Sequence, residues 1–572
     1  MDVPVVSLFP DEPLFRTILS NSRTNSSVIF QDPTCGGPDG IHATYARLLR
    51  DVTSLRRQLY QWLPESMFDG RGRVTKERPY ILIQAPANYE FVVASLAVLA
   101  IGAALVPIAP AILPEEAAHF AQQCSSALLL ASSTCWDCAV RVRDHLASHQ
   151  DEALVTQVHS IASGLSECND AQEYEIDKLL TIDASSPSLI LFTSGTTGPP
   201  KGVVHSRLFF YFGYGSASDD VFLTHRPVHW IGGLRSTINL VVSGTRQEVV
   251  ACNEVAIWER LRKGGVTMLC CVIPMWWRLM KHFKDHLSHL PQHELNAYLL
   301  GARGLRVARI GGAAPLMSLL KFWRDIVRLP LETTYGCTET GGPGFMTDAA
   351  TDRSLDRCIG KPEPGAQVRF SDGDCGEIYI KTNFLFTGYL GDQKATREAF
   401  TSDGYFKTGD LASRVGNDWV LEGRATSDFV RFHGFKVPIL QVEQALMDLP
   451  SIAEACIVAV PDKDASTRVA AAVRFQDGCR ALSLAQIRTS VSDKLLHYML
   501  PTALRVLRPH DEIPLTIAGK VVRRKVATEF FPVDDGYQLP SSVEVWDINQ
   551  KGGGHGEKAR AWDWAGLQGC AV

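Results

Sequence analysis

The chain has 572 residues, 45% of them hydrophobic and 21% charged, with a formal net charge of -5. That length exceeds what one core can organise and implies about two to four domains. The weak negative charge gives no reason to expect nucleic acid or an anionic membrane as partner.

The N-terminal MDVPVVSLFPDEP has no basic region followed by an apolar core, so a cytoplasmic location is expected. The closing Gly-Cys-Ala-Val sets Cys570 one place too near the end for a prenylation box and is no peroxisomal tripeptide. Fourteen cysteines without a framework predict reduced thiols. Cys135-Trp-Asp-Cys138 has no second pair at zinc spacing. Leu48, Leu49, Val52, Leu55 and Leu59 recur at helical spacing and predict a helix over 45–63. Tyr80–Gln84 follows as an apolar strand. Phe91 to Leu113 carries no charge, but Gly102, Pro107 and Pro110 interrupt it. It reads as a buried helix to about Ile101 and a strand over 104–108, not a membrane span. A helix over 115–123 and a strand over 127–131 continue the alternation, which means a parallel sheet covered by helices. The polar stretch 160–177 reads as a surface excursion.

The apolar run Leu189-Ile190-Leu191-Phe192 leads into LFTSGTTGPPKG, Leu191–Gly202. Glycines let backbone N–H groups turn toward an anion, hydroxyls add donors and lysine adds charge, so the loop is built to hold phosphate. Lys201 precedes Gly202, the reverse of a Walker A loop, where Gly-Lys is followed by Ser or Thr. Residues 203–213 read as helix-like. Strands are predicted over 266–272, 305–310 and 331–334, ending in small-residue loops of the kind where ligands collect. Short strands over 376–381, 419–423 and 429–432 mark a change of character after residue 360. A helix from about 442, strands over 455–460 and 469–475 and a helix over 484–496 complete a small α+β domain of about 110 residues. Residues 533–572 read as a tail.

LFTSGTTGPPKG resembles the phosphate-loop signature of the adenylate-forming superfamily, which includes acyl-CoA synthetases, peptide-synthetase adenylation domains and beetle luciferases. Further segments match in order over roughly residues 30–530. The resemblance implies an α/β fold with a large N-terminal domain, 1–423, of parallel sheets flanked by helices. A small mobile α+β domain, 424–532, would carry a catalytic lysine. The phosphate loop would contribute Thr193, Ser194, Gly195, Thr196, Thr197, Gly198 and Lys201. Gly311-Gly312-Ala313-Ala314-Pro315 would bring backbone close to adenine and the acyl group. Tyr335-Gly336-Cys337-Thr338-Glu339 would place Tyr335 on adenine, Thr338 on the α-phosphate and Glu339 on Mg²⁺. Asp410, in Tyr405-Phe-Lys-Thr-Gly-Asp410, and Arg424 would hold the ribose. The hinge, Ala425 to Asp428, is one residue longer than usual, and Arg431 stands where lysine is frequent. His433, Gly434 and Phe435 would border coenzyme A. Lys520, in Pro514-Leu-Thr-Ile-Ala-Gly-Lys520, would reach the acyl carboxylate and α-phosphate.

By the same resemblance the chain would join a carboxylic acid to AMP with release of pyrophosphate, then transfer the acyl group to coenzyme A. The acyl pocket would be walled by His229, Trp230, Gly233, Arg235 and Gly311. No aspartate stands near His229-Trp230, which argues against an α-amino acid and favours an aryl or medium-chain acid. Arg235 is either a packing arginine or a partner for a second carboxylate. A separate carrier protein as acceptor, and a nucleotide-binding homologue without catalysis, are the alternatives.

Overall fold

The computed structural model describes residues 5–74, 79–148, 157–165, 172–193, 200–211, 219–312, 315, 317–348, 350–351, 354–424, 429–432, 435–463, 465–515, 521–534 and 536–548, without the side chains of 5, 6, 172, 431, 435, 436 and 466. The chain divides into two compact units, Met1–Leu421 and Glu422–Val572.

In the first unit, a seven-stranded sheet runs in the spatial order Gly388–Tyr389, Lys201–Ser206, Pro187–Thr193, Ala104–Ile108, Tyr80–Gln84, Leu128–Ala131 and Gln157–Ser160. Its strands from Pro187–Thr193 to Gln157–Ser160 pair in parallel. A second sheet has a parallel body of Phe30–Asp32, Arg246–Val249, Val221–Thr224, Met268–Val272, Val307–Gly311 and Glu332–Tyr335, continued by antiparallel strands over 345–421. Strands buried on both faces read as unbroken apolar runs, which is why 189–192 and 128–131 stand out in the sequence.

Local chemistry places the helices. Tyr45–Trp62 starts on Thr44, whose side chain accepts from Arg47 N, and buries Leu48, Leu49, Val52, Leu55 and Leu59. Tyr89–Ala100 starts on Asn88, whose side chain accepts from Phe91 N, and every one of its residues is buried. A helix apolar all round belongs in a core or a membrane. This one packs on the strands Tyr80–Gln84 and Ala104–Ile108 and against the helices Tyr45–Trp62 and Ile231–Val242, and no helix among the described residues is long and apolar enough to cross a membrane.

Three expectations change. Residues 201–206 form a strand, followed by a 3₁₀ turn over Arg207–Phe210, where a helix was expected over 203–213. This strand lies between two others, so its residues 202–206, Gly-Val-Val-His-Ser, are all buried, and a segment buried on both faces carries no alternation to mark it as a strand. In the second unit the helix expected over 484–496 stops at Val491, because Thr489-Ser490 and Ser492 are weak helix formers. The tail expected from residue 533 is docked as far as 548. Glu544–Val545 pairs antiparallel with Leu504 and Ala503, Glu544 Oε2 accepts from Leu484 N at 2.7 Å, and Arg488 lies 4.2 Å from the centre of the Trp546 ring. Residues 549–572 lie outside the described residues.

The rest of the second unit is a sheet of Phe435–Pro438, Phe429–Phe432, Ser466–Phe475, Ala503–Val506 and Glu544–Val545, with Ile452–Asp462 also paired to Ser466–Phe475. The helices Ile439–Met447 and Leu484–Val491 cover it, the second started by a reciprocal Ser483–Gln486 capping box.

Candidate active site

The phosphate-loop strands form an antiparallel hairpin in which Thr193 faces Lys201, and Thr193 Oγ1 donates to Lys201 O at 3.3 Å. Ser194, Gly195, Thr196, Thr197 and Gly198 lie outside the described residues, as do Ala313 and Ala314. Lys201 Nζ stands 5.0 Å from the centre of the Tyr389 ring, a cation–π distance.

The Tyr335–Glu339 segment leaves the end of strand Glu332–Tyr335. Its turn requires glycine: a Cβ on Gly336 would lie 2.3 Å from Gly342 O. The loop closes through Gly344 N to Tyr335 O at 2.7 Å, with Thr340 Oγ1 donating to Gly342 O. Tyr335 OH donates to Asp410 Oδ2 at 2.7 Å, and both residues are buried. Burial, and then the Asp410 charge, hold the phenol's pKa well above its usual range, so it stays a donor. Asp410 sits inside strand Phe406–Val415 rather than in a turn, and Gly409 reaches φ +73° there while its N–H is held by Glu377 Oε1 at 2.8 Å.

Thr338 and Glu339 are held from outside this segment. His205 Nε2 donates to Thr338 O at 2.9 Å. Tyr389 OH donates to Glu339 Oε1 at 3.0 Å, and Phe386 N donates to Glu339 O at 2.9 Å. His205 and Tyr389 both come from strands of the hairpin's own sheet, Lys201–Ser206 and its edge neighbour Gly388–Tyr389. Sequence reasoning missed both residues. The only signal for His205 was its place four residues after Lys201, and none marked Tyr389.

The structure brings Thr193, Lys201, Tyr335, Gly336, Thr338, Glu339 and Asp410 into one connected network within the first unit. Of the residues expected to wall the acyl pocket, His229, Trp230, Gly233 and Arg235 lie at or just before the start of one helix, and Gly311 lies at the end of strand Val307–Gly311. Trp230 caps the helix Ile231–Val242, and its ring meets His229 edge-on at 5.7 Å. Burial lowers the His229 pKa to about 4, so its ring is neutral. Gly233 packs on Pro227 O, which a Cβ would approach to 2.0 Å, and a Cβ on Gly311 would lie 2.5 Å from Thr334 Oγ1. Gly312 follows at φ +94°. Arg235 is buried. Its Nη1 donates to Gly341 O at 2.9 Å, and its guanidinium lies 4.9 Å and 5.7 Å from the Phe384 and Phe209 ring centres.

In the second unit, Arg424 is the exposed last residue of strand Asp418–Arg424. Arg431 and Phe435 lie in adjacent antiparallel strands, their side chains undescribed, and His433, Gly434 and Lys520 lie outside the described residues. Leu515 and Val521, which flank the Lys520 segment, pair across an antiparallel bridge. Arg523 Nη2 is 3.0 Å from each carboxylate oxygen of Glu443 and anchors the next helix.

Acid should loosen the first unit through its neutral histidines. Burial lowers the pKa of His205 to about 4, and burial with the Arg226 charge lowers that of His225 to about 3. Unfolding returns both toward roughly 6.5, so the unfolded chain takes up the protons first. Their contribution is complete above pH 6.5 and falls as the pH drops, by about 1.4 kcal/mol per unit for each histidine. Urea midpoints measured at pH 7.5, 6.5 and 5.5 should decline accordingly, and His205→Gln should flatten the slope. A pH-independent midpoint would contradict the neutral burial.

The AMP-binding enzyme family profile matches residues 39–390, and the AMP-binding enzyme C-terminal domain profile matches residues 441–520. The chain is 32% identical to acyl-CoA ligase oryP of Aspergillus oryzae, over 95% of this chain and 97% of that protein. It is 28% identical to a mitochondrial malonate–CoA ligase of Xenopus laevis, over 80% of this chain and 84% of the relative. ATP-bound MatB from Rhodopseudomonas palustris shares the fold with a TM-score of 0.73 at 20% identity, over 92% of this chain and 99% of MatB. An o-succinylbenzoate-CoA synthetase from Bacillus subtilis does so with a TM-score of 0.70 at 20% identity, over 89% and 97%. The chain belongs to the AMP-binding enzyme family, and it is an AMP-forming acid–thiol ligase.

Proposed function

We propose that this ligase activates a carboxylic acid with an apolar body, and that coenzyme A rather than a carrier protein accepts the acyl group. The observation that supports the site assignment is the cross-linking of the Tyr335–Glu339 segment, whose Tyr335, Thr338 and Glu339 are each held by a residue from another strand. Tyr335 would offer its ring to adenine and Asp410 would accept from the ribose hydroxyls, with Arg424 of the second unit assisting. Lys201 and the loop hydroxyls would hold the phosphates, and Lys520 would meet the α-phosphate.

The donor set suits Mg²⁺. Glu339 supplies one hard carboxylate, and among the described residues no group of three or more His, Cys, Asp or Glu could hold a metal alone. A cation there would complete its shell with phosphate oxygens and water, as Mg²⁺ does. When bound it neutralises phosphate charge. Glu339 would hold the cation, and Lys201 and Lys520 would balance the remaining negative charge as the acid's carboxylate approaches.

Three side chains support an acid with an apolar body. His229 is neutral, Trp230 adds aromatic surface, and Arg235 is engaged by Gly341 O and two phenylalanine rings. A dicarboxylic acid is the second reading, favoured by the malonate–CoA ligases among the relatives. A cytoplasmic location belongs to the same proposal, on the unframed cysteines. Pyrophosphate release measured over medium-chain, aryl and dicarboxylic acids, with and without coenzyme A, tests these points. We expect turnover with an apolar monoacid and thioester only when coenzyme A is present. Turnover confined to diacids would overturn the substrate assignment, and AMP accumulation only with an added carrier protein would overturn the acceptor.

A further inference from the structure

We propose that Tyr389 is a positioning residue for the adenylation step, holding the Glu339 carboxylate and the Lys201 ammonium on the same phosphates. The proposal rests on the assignment of Glu339 to the metal ion. Two contacts to one side chain carry it. The phenol donates to Glu339 Oε1 at 3.0 Å, and the face of the same ring lies 5.0 Å from Lys201 Nζ. A carboxylate that accepts a fixed hydrogen bond on one oxygen has a set orientation for the other, and such outer partners tune metal sites strongly.

The backbone around Tyr389 is built to keep it there. The short strand Gly388–Tyr389 lies against the hairpin strand, with Tyr389 opposite Val203. Thr387 N donates to Val204 O at 2.7 Å and Leu390 N to Gly202 O at 2.8 Å. Tyr389 N donates to Thr396 Oγ1 at 2.9 Å, in the middle of the helix Gln393–Ala399. Gly388 next to it has φ +157° and packs on Thr396, whose Cγ2 a Cβ would approach to 2.8 Å. On the other side, Phe386 N donates to Glu339 O and the Phe386 ring lies 5.0 Å from the Tyr389 ring. The segment Phe386–Tyr389 therefore ties the phosphate hairpin to the metal carboxylate through main chain and side chain alike. Lys201 and Glu339 have opposite charges and different elements beneath them, and Tyr389 fixes the relation between them.

Tyr389→Phe removes the hydroxyl and leaves the ring beneath Lys201. Tyr389→Leu removes both. Glu339→Gln is the control for the metal assignment. Binding of α,β-methylene-ATP by calorimetry, without acid and with or without Mg²⁺, reads the effect apart from turnover, and a Mg²⁺ titration of pyrophosphate release reads it in the reaction. For Tyr389→Phe we expect a loss of about 10- to 100-fold in affinity for the metal-bound nucleotide, unchanged affinity for the metal-free nucleotide, and a rate restored by excess Mg²⁺. Tyr389→Leu should weaken both forms. If Tyr389→Phe binds the metal nucleotide like the unaltered protein while Glu339→Gln does not, the role of Tyr389 is overturned. If Glu339→Gln also binds it normally, the metal assignment fails instead. Equal loss of metal-free and metal-bound binding by Tyr389→Phe would make Tyr389 a structural support and overturn the proposal.

Discussion

Lys520→Ala is expected to depress acyl-AMP formation by about 10²- to 10³-fold, the usual effect of deleting one preorganised donor to developing charge. Thioester formation from supplied acyl-AMP should change by no more than about twofold. The asymmetry follows from the chemistry of the two steps. In the first, an acid carboxylate approaches an α-phosphate that already bears negative oxygens, and the barrier is largely electrostatic. In the second, a thiol of pKa near roughly 8.5 attacks a carbonyl already activated as a mixed anhydride, and thiolate is available without a dedicated base. Lysine acts as a compact point charge on a flexible stem, so Lys520→Arg should recover only part of the first step. Pyrophosphate release reports the first step and thioester yield from synthetic acyl-AMP the second. Equal loss in both would remove Lys520 from the role proposed for it.

The chemistry-bearing segments were legible in the sequence because each concentrates unusual residue types in a short span. Gly-Thr-Thr-Gly before Lys201, and Tyr335 to Glu339 after a small-residue strand end, carry their own signal. The relations that make them a site were not legible. Tyr335 meets Asp410 across 75 residues, Thr338 meets His205 across 133, and Glu339 meets Tyr389 across 50. Hydrogen bonds of that range are set by which strands lie side by side, and a single chain's local pattern holds no record of that. His205 and Tyr389 are ordinary residues in strands whose importance lies in their neighbours.

The misread elements fail for a related reason. A strand buried on both faces has no period of two, so 201–206 could not be told from a helical run. The segment after 533 has isolated apolar residues, yet Val543 is 6% exposed and Trp546 stacks with Arg488. Its docking rests in part on main-chain pairing with Leu504 and Ala503, which needs no side-chain pattern. Arg235 offered two readings as a sequence position. Its contacts to Gly341 O, Phe209 and Phe384 favour the packing arginine, which is the reading we propose.

Arg207→Met should destabilise the first unit by about 3–5 kcal/mol, the cost of leaving one partner of a buried ion pair behind. Arg207 and Glu12 are each 1% exposed, with Nε 2.5 Å from Oε1 and Nη2 2.9 Å from Oε2. Nη2 also donates to Leu99 O at 2.8 Å, in the last turn of the helix Tyr89–Ala100, where a cation suits the helix dipole. Arg207 directly follows the hairpin strand, and Glu12 precedes the helix Pro13–Thr24. One guanidinium thus joins the end of the hairpin strand, the start of one helix and the last turn of another. Burial raises the Glu12 pKa and Arg207 opposes the rise, so its loss lets the pKa climb further. A carboxyl whose folded pKa exceeds its unfolded value of roughly 4.3 stabilises below that value, and the contribution is lost as the pH rises through the folded pKa. The penalty of Arg207→Met should therefore be greater at pH 8 than at pH 5, and Glu12→Gln added to it should remove most of that difference. Urea midpoints of the first unfolding transition, taken at both pH values, measure it. A penalty below about 1 kcal/mol, the range of an exposed pair, with no pH dependence would show that the pair contributes no more than a surface contact.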